Sequence, residues 1–262
     1  MHLDTAAACA VIGLVSGWFV PQLVARIPEP EPAPEPEPAP DPILADPSLV
    51  AGETRAKKDG PPKILYAELA AAPGLAWKAA LATAMCAGLI GAEVGWQWSL
   101  TFLLYLCPVG VALAYIDYRT WLLPTRLIAP SYAVVGALVL LTAAVTGDTE
   151  GLVRAAVGWL VTGMVFWLLW LFTPGMGYGD VRLSGVLAIV LGWLGWGELL
   201  AGIYAGFVLG SVGWIPLRLL RITKSRKFPF GPFMLVGALV GILWGAEVGD
   251  YVADLRENLA AR

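Results

Sequence analysis

Asp117 and Asp180 are the two side chains in this 262-residue sequence whose type and setting suggest reaction chemistry. Asp117 ends an apolar run in "ALAYIDYRTWLLPTR", and Asp180 opens one after the glycine-rich break "TPGMGYGD". Most of the other acidic residues lie in a Pro-rich stretch, in short turns or in the C-terminal tail. An ionisable group at membrane depth is expensive and is by default a functional hypothesis. Two carboxylates held close together cannot both ionise cheaply, so they share one proton. The ionised member can then take a proton from water as it attacks a peptide carbonyl. The protonated member polarises that carbonyl and later protonates the leaving amine. Glycines beside Asp180 would let a substrate backbone approach closely, because they carry no Cβ.

That chemistry needs no metal and no nucleophilic side chain. It suits a sequence whose one histidine, His2, stands at the start and whose cysteines, Cys9, Cys86 and Cys107, are scattered through apolar runs. A zinc site would need about four Cys or His ligands at short spacings. No metal is expected, and no cofactor for the hydrolysis. Two structural alternatives stand beside the chemical one. Asp117 could pair with Arg119 or Arg126, and Asp180 could be a helix N-terminal residue favoured by the dipole. A nucleotide-binding reading of "GMGYGD" fails, since the dinucleotide fingerprint would need glycine at position 180 and a preceding strand.

The elements around the pair must bring residues 63 positions apart to one level. The sequence is 58 % hydrophobic and 14 % charged, with a mean hydropathy of +0.71; a soluble domain carries roughly 25 % charge. Repeated apolar runs therefore predict an all-α, polytopic membrane protein. Eight transmembrane helices are expected, at 6–25, 75–92, 98–117, 125–146, 152–172, 180–196, 198–218 and 231–252. With the N-terminus outside, 14 of the 17 lysines and arginines fall on the inner side, leaving Arg154, Arg256 and Arg262 outside. That bias follows the positive-inside rule, puts both termini outside, and puts both aspartates at the cytoplasmic edge. Asp4 stands where a cleaved signal peptide would carry basic residues, so the first helix is expected to be retained. No basic patch points to nucleic acid.

The organisation expected is a first helix over 1–27, a cytoplasmic loop over 28–74, a seven-helix membrane domain over 75–252 and a short external tail over 253–262. The loop opens with "PEPEPAPEPEPAPDP" (28–42), which reads as an extended or disordered spacer. Glycines every fourth residue, Gly202, Gly206 and Gly210, then Gly237, Gly241, Gly245 and Gly249, predict close intramolecular packing of the last two helices. Trp96, Trp98, Trp193 and Trp196 are expected at the outer interface.

Two of these stretches, "DYRTWLLP" (Asp117 to Pro124) and "GMGYGDVR" (Gly175 to Arg182), resemble the paired signatures of the type IV prepilin peptidases. "GLVSGWFVPQLVARIP" (13–28) is similar to that family's first helix, and "FPFGPFMLVGA" (228–238) to its last. The resemblance implies a GxGD intramembrane aspartic protease with Asp117 and Asp180 as the catalytic dyad. Gly177, Gly179, Arg182, Arg119 and Pro124 would support the site; Arg182 stands where lysine is commoner. It implies cleavage of prepilins or pseudopilins after a short basic leader, in the bacterial cytoplasmic membrane at its cytoplasmic face. Many bifunctional relatives carry a tetracysteine zinc motif in the first loop and also methylate the new N-terminus with S-adenosylmethionine. This loop has no cysteine, so methylation and its cofactor stay open. The other readings are a protease of the signal-peptide-peptidase type, which would need a PAL motif where this chain has "FPFGPF", and a proton-coupled transporter, which would place its carboxylates near the midplane. The expected partners are the substrate helix and membrane lipid; neither the particular pilin nor the oligomeric state is legible.

Overall fold

A computed structural model of the chain describes residues 2–29, 64–173, 176–219 and 229–260, and these are entirely helical and connecting segments. The Pro/Glu spacer beyond Glu29, Gly175 and the basic stretch 221–227 lie outside the described residues. In chain order the helices are α1 (Leu3–Trp18), α2 (Val20–Ala25), α3 (Tyr66–Ala70), α4 (Leu75–Val94), α5 (Leu100–Thr120), α6 (Thr125–Thr146), α7 (Thr149–Phe172), α8 (Tyr178–Leu194), α9 (Trp196–Leu219) and α10 (Gly231–Ala260). Among the described residues, five are long and apolar enough to cross a membrane: α4, α5, α6, α7 and the Gly231–Leu255 part of α10. The chain is a polytopic helical membrane protein.

Each of the eight expected stretches is helical, with three differences of detail. The first is split at Phe19 into α1 and α2, because Pro21 has no amide hydrogen with which to continue the ladder. The loop expected over 28–74 contains the short helix α3, whose Ala67 N–H is taken by the Glu29 carboxylate at 3.0 Å, while Tyr115 of α5 donates to the Leu69 carbonyl. The last helix runs on to Ala260, well past the expected end at 252.

The helices associate as tight antiparallel pairs, α1 with α4, α7 with α8 and α9 with α10, around α5 and α6. Small residues set the contact distances. A Cβ on Gly13 would lie 2.7 Å from the Thr83 carbonyl, and one on Gly192 2.8 Å from that of Arg154. Between α9 and α10 the glycines predicted to pack do so within the chain: Gly241 faces Gly202, Gly237 faces Gly206 and Gly202, and Gly245 faces Glu198. Side-chain-free backbones can approach like this without the hydrophobic driving force that lipid fails to provide. Trp193 departs from the expected interfacial set. It is buried edge-on against Phe102, whereas Trp96, Trp98 and Trp196 are exposed.

The alternation of helix directions decides where the site falls. Asp117 lies in the last turn of α5 and Asp180 in the first turn of α8, and the chain crosses twice between them, through α6 and α7. An even number of crossings returns it to the level it left. The N-terminal end of α10 arrives at that level as well.

Candidate active site

Asp117 and Asp180 are 4 % and 6 % exposed, although each is a carboxylate at a helix end. Their glycine neighbours, Gly231 and Gly179, both meet Leu123, which brings the two helix ends to one place. Each is held by a backbone amide of a glycine. The Asp117 Oδ2 accepts from Gly231 N–H at 2.9 Å, and the Asp180 Oδ2 accepts from Gly177 N–H at 3.1 Å. Neither carboxylate makes an ion pair among the described residues, where the single salt bridge joins Arg154 and Asp148. The alternative pairing of Asp117 with Arg119 or Arg126 is therefore absent there; both arginines are exposed.

The two halves of the site are joined by the turn that follows Asp117. α5 stops at Trp121, which adopts a left-handed conformation (φ 55°) and returns its N–H to the Asp117 carbonyl at 2.8 Å. Among the described residues it is the one non-glycine with positive φ, a conformation that costs energy in a bulky residue and here aims the chain back toward the core. Leu123 then sits between the two aspartates' neighbours. A Cβ on Gly179 would lie 2.6 Å from the Leu123 Cβ, and a Cβ on Gly231 would lie 3.3 Å from its Cδ2 and 2.8 Å from the Asp117 Oδ2. Gly179 thus has a structural duty: it lets the start of α8 press against this turn. Pro124, buried, opens α6, and its carbonyl accepts from Leu127 N–H at 3.0 Å.

Asp180 is the third residue of α8 and closes a backbone-to-side-chain ring with Gly177 at the helix start. The helix-start alternative for Asp180 is thus realised, and it does not compete with a chemical role, because the hydrogen bond uses one oxygen. Arg182, one residue beyond Val181, does not reach toward the carboxylates. Its guanidinium donates to the Thr125 hydroxyl and stacks over the Tyr178 ring at 4.6 Å, and Trp170 meets that ring edge-on. Tyr132 of α6 donates to the Arg182 carbonyl at 2.7 Å. Arg182, Thr125 and Tyr132 together fasten the start of α8 to the start of α6. Gly177 is exposed and Gly179 half-buried, so the approach to Asp180 from this side is lined by backbone.

Of the residues expected to support the site, Gly177, Gly179, Pro124 and Arg182 are brought together here, while Arg119 points to the surface. Reading the sequence missed Gly231, Leu123, Thr125 and Tyr132. Gly231 had one signal, the Gly-Pro step in "FPFGPF", which marks a helix start whose first amides are free to hold an anion. The buried carboxyl pair, each member with one oxygen held by a backbone N–H and the other without a hydrogen bond among the described residues, is an arrangement able to divide acid and base work.

Residues 104–246 match the profile of the type IV leader peptidase family. The chain is 32 % identical over 171 residues to the prepilin leader peptidase/N-methyltransferases of Stutzerimonas stutzeri and of Pseudomonas aeruginosa, covering 64 % of this chain and 58 % of each relative. It is 33 % identical over 177 residues to the protein of the same name from Aeromonas salmonicida, covering 64 % of this chain and 57 % of the relative. The chain thus matches less than two thirds of the length of these relatives. No solved structure matches it significantly.

Proposed function

This chain belongs to the type IV leader peptidase family, and we propose that it is a membrane-embedded aspartic endopeptidase that removes the short basic leader from a type IV prepilin or pseudopilin. The observation that carries the reading is the buried pairing of Asp117 with Asp180 at one level, each held by a glycine amide. The scissile peptide enters over Gly177, which carries no side chain of its own. Two like charges in a dry site cannot both persist, so the pair carries one proton. The ionised carboxylate takes a proton from water as its oxygen attacks the carbonyl carbon. The protonated carboxyl hydrogen-bonds the carbonyl oxygen as it becomes an oxyanion, then gives its proton to the leaving nitrogen as the C–N bond breaks. Leader acid and mature amine result, and the proton taken from water restores the pair.

The loop charges favour the cytoplasmic face for this site, and the family supports a bacterial inner membrane. Hydrolysis of this kind takes no cofactor. N-methylation of the new N-terminus, which the relatives' names include, would require S-adenosylmethionine, and no step here passes through it. The signal-peptide-peptidase reading has nothing further to favour it. The transporter reading expects a wild type that cuts nothing. The test is the full chain reconstituted in vesicles with a prepilin, with leader release followed by mass spectrometry. Cleavage that survives a metal chelator is expected; an uncut prepilin, or cleavage abolished by the chelator and restored by a metal ion, would overturn the two-carboxylate account.

A further inference from the structure

A groove of about 740 Å³ runs between α1, α2, α5 and α6. α1, α2 and α6 all pack on α5, and the groove is the space left between them. It includes no residue of α8 or α10, and its α5 wall stops at Val109, two turns short of Asp117, so it is separate from the carboxyl pair. Its chemistry is uneven along its length. One end carries Arg26, just after α2, and Arg126, in the first turn of α6, with Gln22 one turn before Arg26. The rest is largely apolar, with Leu127, Leu104 and Ile12 in the walls. Among the described residues no acidic side chain lines the groove, and neither arginine makes an ion pair. Both arginines are exposed. Two like charges thus stand at the mouth of one apolar groove, and no described carboxylate neutralises them.

A guanidinium at the edge of a membrane attracts an anion, and its planar fork matches the oxygens of a phosphate. The apolar length of the groove takes hydrocarbon. An anionic phospholipid offers both in one molecule, and basic pockets between transmembrane helices are where such head groups bind. The dimensions agree. Ile12 and Arg26 are 14 residues apart, or roughly 21 Å at the α-helical rise. One leaflet of a ~30 Å hydrocarbon core is roughly 15 Å deep, so an acyl chain can lie within the groove while its head group stays at the arginines. We infer that this groove is a binding site for one anionic phospholipid, with its phosphate between Arg26 and Arg126 and an acyl chain along α1 and α5 past Leu104 to Ile12. Gln22 supplies a further donor to the head group. A basic peptide is repelled here, and a zwitterionic lipid brings an ammonium toward the two guanidinium groups. The bound lipid fills the gap between α2 and α6, so it stabilises the folded chain in proportion to its occupancy. This site is independent of the peptidase reading.

The experiment adds phosphatidylglycerol, or phosphatidylcholine of the same chain length, to the full chain in detergent and reads bound lipid by native mass spectrometry. One phosphatidylglycerol should stay bound under conditions that strip phosphatidylcholine, and it alone should raise the thermal midpoint. Arg26→Gln and Arg126→Gln should each weaken its binding about fivefold, and together at least about tenfold. Lys78→Gln, which removes an exposed cation outside the groove, should leave binding unchanged. Should the double variant fail to fold, the wild type decides: phosphatidylglycerol with a photoreactive diazirine in its acyl chain should label the walls formed by α1, α5 and α6. Equal retention of the two lipids, equal losses in the Lys78 and arginine variants, or label spread evenly over the lipid-facing helices would overturn the site. So would a phosphatidylglycerol that binds only after residues 30–42 are deleted, because the spacer's glutamates would then be the arginines' partners.

Discussion

Asp180 closes the first turn of α8 and also stands in the carboxyl pair, and the two duties can be separated by substitution. Asparagine keeps an oxygen able to accept the Gly177 N–H, so Asp180→Asn should fold and melt close to wild type. Asp180→Ala removes that acceptor and should lose about 1 kcal/mol, the usual worth of a helix-start hydrogen bond, seen as a lower thermal midpoint in detergent. Equal losses in both variants would contradict the role given to Oδ2. Gly231 makes a sharper case. Its amide holds Asp117, and a Cβ there would sit 2.8 Å from the Asp117 Oδ2. Gly231→Ala should lower turnover at least about tenfold, equivalent to about 1.4 kcal/mol of barrier, with the amount of chain in the membrane unchanged. Undiminished turnover would show that the amide contact does not position the carboxylate. At Arg182, lysine keeps a cation for the Tyr178 face and one donor for Thr125, so Arg182→Lys should retain most activity and Arg182→Met should not.

The helix pairs explain which parts of the architecture were legible from residues alone. Glycines at four-residue spacing in α9 and α10 face one another, because four residues is close to one helical turn and every fourth glycine opens the same face. Gly241→Leu should therefore wedge the pair apart at Gly202, costing about 1–3 kcal/mol or more as overpacking does, and thermal aggregation in detergent would report it. A melting curve identical to wild type would mean the two helices are free to separate. The carboxyl pair was legible for a similar reason: charges that interrupt apolar runs are conspicuous. Trp193 was misplaced because hydropathy cannot tell an indole at a helix end that meets lipid from one that meets Phe102. Leu123 and Tyr132 were silent because their contributions are a packed side chain and a hydroxyl reaching a carbonyl 50 residues away. Those are facts of tertiary approach, which leave no period in the sequence.

At the scale of the whole molecule, the claim is that two crossings between α5 and α8 return the chain to the level it left, and that the loop charges set which side that is. A reporter fused after Arg126 should read cytoplasmic, and one at the C-terminus external, because that orientation would put 14 of the 17 basic residues on the inner side. A cytoplasmic C-terminus would move Asp117, Asp180 and Gly231 to the opposite face, since α10 starts beside Asp117 and leads away from it. The Pro/Glu spacer offers a second test. If 29–42 is a tether, deleting it should leave prepilin cleavage nearly intact at all salt concentrations. If its glutamates attract the basic leader, the loss should be largest at low salt, where charges are least screened, and Glu→Gln replacement should reproduce it.

The central claim is that Asp117 and Asp180 act as one unit. The most direct measurement is leader removal from a co-expressed prepilin by Asp117→Asn, Asp180→Asn and the double variant, each normalised to the amount of folded chain in the membrane. Residues that form one catalytic unit are non-additive, so each single change should abolish cleavage and the double change should be no worse than either. Folded enzyme carrying one asparagine that still cleaves at near the wild-type rate would contradict the dyad.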